Sequence, residues 1–125
     1  MATFLDVAPL VAMAWLAHAC VGLLLTVPII AKTRSKVEWH WVDCLALVVP
    51  FEVWFALAGF CGLVPKNIPN ILFEPLILSL GLPAAAAVRV LFRERLTHAM
   101  MLVGLLLLLS GIGVGIYFAV PTIGE

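Results

Sequence analysis

Val7–Ala31 reads VAPLVAMAWLAHACVGLLLTVPIIA, 25 residues without a formal charge, and Leu96–Gly124 reads LTHAMMLVGLLLLLSGIGVGIYFAVPTIG, another 29. A helix rises about 1.5 Å per residue, so about 20 apolar residues cross a hydrocarbon layer of about 30 Å. Each stretch is long enough to do so. Between them, Trp41–Leu63 and Ile68–Val90 are apolar runs interrupted by single acids. The pattern predicts an all-α integral membrane protein with one transmembrane domain spanning 1–125 and helices at about 9–31, 41–63, 68–90 and 97–119. The runs are continuous and do not alternate with period two, which excludes a β-barrel. Short connections predict an up-down bundle of four helices in which consecutive helices are antiparallel neighbours.

Composition supports this reading. Of 125 residues, 65% are hydrophobic and 11% charged, with a mean hydropathy of +1.22. A soluble domain carries about 45–50% apolar and about 25% charged residues, and a chain this short has too little interior to bury the excess. A soluble enzyme, a nucleic-acid module and a disordered chain are all excluded. The net charge is zero, seven basic residues against seven acidic ones, so no nucleic-acid partner is implied. The cysteines Cys20, Cys44 and Cys61 fall inside apolar stretches with no metal-ligand spacing and read as small buried hydrophobes.

Basic residues near helix ends stay cytoplasmic. Lys32, Arg34 and Lys36 lie in the first connection, and Arg89, Arg93 and Arg95 in or near the third, against Lys66 alone on the other side. The bias predicts a multi-pass protein of the plasma (inner) membrane with both termini outside. No basic residue precedes Lys32, so the N-terminus does not read as a cleavable signal. Trp39 and Trp41 would anchor the second helix among the cytoplasmic headgroups.

Polar side chains inside hydrocarbon are costly and need partners. On the first helix Ala14, His18 and Gly22 share one face; on the second, Glu52, Ala56 and Gly59; on the third, Asn67, Asn70, Glu74, Gly81 and Ala85; on the fourth, Thr97, Gly104, Gly111 and Gly115. Small residues mark close helix approach in membranes. All four stripes are therefore expected to face the bundle interior or a partner helix. By helical rise, His18 lies roughly 14 Å deep and Glu52 roughly 16 Å, so the two are expected to meet near the midplane, while Glu74 lies roughly 9 Å from the outer surface beside Asn70. Asp43, with Arg93, Arg95 or Lys36 as expected partners, marks the cytoplasmic boundary. Pro50 frees the carbonyl of Ala46 and can open a polar pocket beside Glu52. Pro75 suits the first turn of a helix, which could start the third helix near Glu74.

Each feature has two readings. Glu52 is either a proton or cation site set by His18, or a protonated acid acting as helix glue. Glu74 with Asn67 and Asn70 either binds a cation or headgroup from outside or caps the third helix, and capping is favoured. His40 and His98 lie at matching depth and could bridge a haem or metal, but two histidines without further ligands read as interfacial residues, so no cofactor is expected. Arg93-Glu94-Arg95 reads as a solvated turn, with anionic lipid headgroups as the alternative ligand. Ser35, Ser79 and Ser110 have no arranged histidine and acid, and Cys20 and His18 do not share a helix face, so no catalytic residues and no enzyme are expected.

Two short pieces resemble the small multidrug resistance group of membrane transporters. Phe51-Glu52-Val53-Trp54 with Ala56 resembles the surroundings of that group's membrane glutamate, and Phe92-Arg93-Glu94-Arg95-Leu96-Thr97 resembles the approach to its last helix. The resemblance implies a dimer in which Glu52 is a proton-coupled substrate carboxylate, although the family carries that glutamate on its first helix. The residues themselves favour a protein that works by binding other membrane helices. It would be an accessory or assembly subunit of a larger complex, or the protomer of a homo-oligomer, in contact with lipid and with other subunits or itself. Gly59, Gly81, Gly104, Gly111, Gly115 and the aromatics Trp15, Trp54, Phe55 and Phe60 are the expected contacts. The competing class is a proton- or cation-coupled transporter or channel using Glu52 and His18, with Glu74 at the outer mouth.

Overall fold

A computed structural model describes residues 4–124, with side chains from Ala8 onward. Its elements are α1 (Phe4–Thr33), a 3₁₀ turn (Trp41–Cys44), α2 (Leu45–Ala56), a π-helical turn (Leu57–Cys61), α3 (Ile68–Ser79), α4 (Gly81–Leu91) and α5 (His98–Ala119). They combine into four spans long and apolar enough to cross a membrane, Ala8–Thr33, Trp41–Cys61, Ile68–Leu91 and His98–Ala119. The chain is a multi-pass membrane protein.

Local chemistry explains where the helices stop. Gly62 adopts φ +66° after the π-helical turn and ends the second span, a left-handed backbone that suits a residue without Cβ. Asn67 caps α3 by accepting from Asn70 N at 3.2 Å, and Asn70 Oδ1 accepts from Asn67 N at 3.4 Å in return. The third helix thus begins at Ile68, with Pro75 inside it, and does not begin at Glu74. The third span breaks between α3 and α4 because Pro83 has no N–H to offer the Ser79 carbonyl. Thr97 accepts from Met100 N at 3.3 Å and caps α5.

Consecutive spans alternate in direction, but they are not the closest neighbours. α1 packs most extensively on α3 and α4, and α2 on α5, whereas α1 and α2 touch little. The expectation that neighbours in sequence are neighbours in space is corrected. Close approach depends on which faces interlock, and here they belong to helices running in the same direction. Gly22 of α1 lies against Leu82 so tightly that a Cβ would overlap it. Gly113 of α5 lies tightly against α2, where a Cβ would sit 3.2 Å from the Pro50 carbonyl oxygen. Two apolar clusters fill the interior: Phe51, Trp54, Leu78, Ile116 and Tyr117 toward the end that carries the C-terminus, and Ala85, Met101, Leu105 and Leu109 toward the end that carries the basic connections.

Candidate functional site

The polar residues form three buried groups along the bundle. At the terminal end, Glu74 is 0% exposed and both of its carboxylate oxygens are hydrogen-bonded. Oε1 accepts from Lys66 Nζ at 2.7 Å and Asn70 Nδ2 at 2.7 Å, while Oε2 accepts from Trp54 Nε1 at 2.7 Å. Lys66, its side chain only 3% exposed, also donates to the Val120 carbonyl at 2.8 Å and lies 5.0 Å from the Tyr117 ring centroid. Asn70 donates to the Pro121 carbonyl at 2.9 Å, and Asn67 to that of Ile123 at 2.6 Å. The Tyr117 hydroxyl accepts from Val64 N at 3.0 Å. A buried charge pair is tolerable only when its remaining valences are filled. Here they are filled by the chain's own C-terminal segment, so the cluster is a clasp and leaves no open face on Glu74 for a cation.

His18 occupies the middle. Its Nδ1 lies 3.0 Å from the Pro75 carbonyl oxygen and its Nε2 3.0 Å from that of Leu47, with the Phe51 ring 5.4 Å away. Both partners are acceptors, so an imidazolium satisfies both and a neutral imidazole, with one N–H, satisfies one. The ring thereby ties α1 to α2 and α3 near two proline-interrupted stretches. It does not meet Glu52.

At the basic end, Asp43 pairs with Arg89, not with Arg93, Arg95 or Lys36 as the sequence led us to expect. Arg89 is buried on α4, donates to the Glu38 carbonyl at 2.5 Å and packs 4.6 Å from the Trp39 ring. Asp43 also faces His98 Nε2 at 3.0 Å and accepts from His40 N at 2.8 Å. Arg93 points its guanidinium at the Val90 carbonyl, 2.8 Å away, and Arg95 is exposed. His40 and His98 meet edge to face at 4.6 Å. Among the described residues no group of three His, Cys, Asp or Glu side chains is placed to hold a metal.

Glu52 stands apart. It is exposed on the outer side of α2, in the wall of a shallow cleft between α1 and α2 with Ala12, Trp15 and Phe55. Among the described residues it has no hydrogen-bond or ion-pair partner. Ala56 and Gly59 are exposed on the same side of that span. On α5, Gly104, Gly111 and Gly115 also face outward, and a Cβ at any of them would meet nothing within 4 Å. Gly81 alone of the expected packing glycines works inside the bundle, where its Cβ would come within 2.8 Å of Leu109 Cδ2. Trp54, expected at the surface, is instead buried as a donor to Glu74, whereas Phe60 is exposed. Arg89, Lys66, Tyr117 and Gly113 carry much of the geometry and were not singled out by their sequence context. The available signal was charge pairing at matched helix ends for Arg89, and a third glycine between Gly111 and Gly115 for Gly113.

A comparison with protein-family models finds no match to this chain, and comparisons with curated proteins and with solved structures find none either.

Proposed function

We propose that the protein works through contacts between its outward helix faces and other membrane helices, as the protomer of a homo-oligomer or an accessory subunit of a larger membrane complex. One observation carries this reading. Glu52-Ala56-Gly59 on the second span and Gly104-Gly111-Gly115 on α5 point away from the bundle. A carboxyl group on a lipid-facing surface is costly, and glycines there lend no packing to the protomer. Both costs are removed when another helix lies against them, since small residues let backbones approach closely. The positive-inside bias supports connections one and three in the cytoplasm, both termini outside and residence in the plasma (inner) membrane.

Native mass spectrometry on the gently extracted protein, with Gly111→Leu and Gly115→Leu beside the wild type, tests the reading. The expected result is an assembly, with itself or with foreign subunits, that the leucines dissolve without lowering the thermal stability of the single chain. A wild type that is a single chain under all mild conditions overturns it.

Proton- or cation-coupled transport is the second reading, favoured by the same Glu52, which has no partner among the described residues. It requires proton flux in liposomes that Glu52→Gln abolishes while assembly is retained.

A further inference from the structure

The basic end contains two adjoining cavities that helix contacts leave unused. One, of about 160 Å³, lies between all four spans and is walled mostly by apolar side chains, among them Leu23, Leu47, Leu82 and Leu105. It exists because Ala46, Ala85 and Ala86 present only methyl groups to it. The second, also of about 160 Å³, is polar and lies at the helix ends between Lys36, Arg93, His40 and His98. His40, Arg89 and Met101 belong to both walls, so the polar chamber opens beside the apolar one.

The charges favour an anion. Asp43 neutralises Arg89. Lys36 has no acidic partner among the described residues, and the closest acid to Arg93 is Glu94 at 4.0 Å on the exposed surface. The one carboxylate in the polar wall, Glu38, has its side chain 86% exposed. Lys36 and Arg93 thus face one outward-turned acid, while Asp43 holds His98 Nε2 at 3.0 Å as well as Arg89. The start of α5 adds positive potential there, because His98 lies in its first turn and lines the chamber. The apolar chamber, by contrast, has the size of cavities that hold a benzene-sized body.

We propose that this compound chamber binds an anionic amphiphile, its phosphate or carboxylate head between Lys36 and Arg93 and the end of one hydrocarbon chain in the apolar cavity. The proposal stands independently of the helix-contact reading.

The test uses the full chain in neutral detergent, titrated with dodecyl phosphate, dodecanoate, dodecanol and inorganic phosphate, with bound mass and Trp fluorescence as readouts. Dodecyl phosphate or dodecanoate is expected to saturate at one per chain, and the alcohol and inorganic phosphate to bind at least about tenfold more weakly, as losing one charge-assisted contact would do. Lys36→Ala and Arg93→Ala should each weaken binding by a similar factor, and Arg95→Ala, outside the chamber, should not. Ala46→Leu, which fills the apolar part, should weaken the amphiphile while leaving thermal unfolding unchanged. Equal binding of dodecanol or of inorganic phosphate overturns the proposal, as does equal loss with Arg95→Ala or no binding at all. Oligomeric mass, read in the same spectra, reports separately on the helix-contact reading.

Discussion

Glu74 and Glu52 are both glutamates within membrane spans, each on a stripe with small residues, yet the fold treats them oppositely. Glu74 is buried and receives Lys66, Asn70 and Trp54; Glu52 lies on the outside with no partner among the described residues. The same division separates the stripes. Ala14, His18 and Gly22 on α1 and Asn70 and Glu74 on α3 turn inward, whereas Glu52 on α2 and Gly111 and Gly115 on α5 turn outward. Polar-plus-small patterning therefore does not by itself decide whether a helix face turns into the bundle or away from it.

Breaking the inward acid should have the largest effect. Glu74→Ala leaves Lys66 buried and unpaired and removes the acceptor of Trp54, so it should cost about 3–5 kcal/mol, read as a large fall in unfolding midpoint in detergent. A midpoint equal to the wild type would show that the clasp holds nothing together. Next comes the glycine contrast. Gly113→Val places a branched side chain against the Pro50 carbonyl and should cost about 1–3 kcal/mol, while Gly111→Val, with open space around it, should leave single-chain stability unchanged. Equal effects of the two would erase the distinction between inner and outer glycines.

His18→Phe removes both contacts to carbonyl oxygens and should cost about 1–2 kcal/mol. Amide hydrogen exchange should locate the loosening at the α1–α2 seam, where packing is already sparse; protection unchanged in α1 and α2 would contradict the tethering role. The smallest change is Glu52→Gln, expected within about 0.5 kcal/mol of the wild type for the isolated chain. On the two proposed functions its consequence would be read in assembly or in flux. A marked loss of single-chain stability would mean that Glu52 has a partner inside the bundle after all.

Much of the clasp was legible in pieces. Asn67, Asn70 and Glu74 share a helix face by spacing, and the group was expected to cap the third helix; the asparagines do so, whereas Glu74 accepts from Lys66 and Trp54 instead. Trp54 was not recognisable as their partner, because an indole within an apolar run looks the same whether it faces lipid or a carboxylate. The depth argument that joined His18 to Glu52 was sound for depth and silent on azimuth. Glu52 is one residue from Phe51, which does contact the histidine ring, and one residue turns a side chain about 100° around the helix.

What the amino-acid sequence determined by itself is the number, length and apolar character of the spans. A lipid-embedded backbone must satisfy its own hydrogen bonds, so long uninterrupted apolar runs have helix as their outlet. It also determined which side chains share a face, because helical periodicity is local. Only the tertiary structure decided which helices pair, which stripes turn inward, and that Asp43 belongs to Arg89 and Glu74 to Lys66 and Trp54. In water, apolarity distinguishes inside from outside. In a membrane both sides of a helix are apolar, so the choice rests on close backbone approach at Gly22 and Gly113 and on a few buried polar contacts, which exist only once the helices are packed.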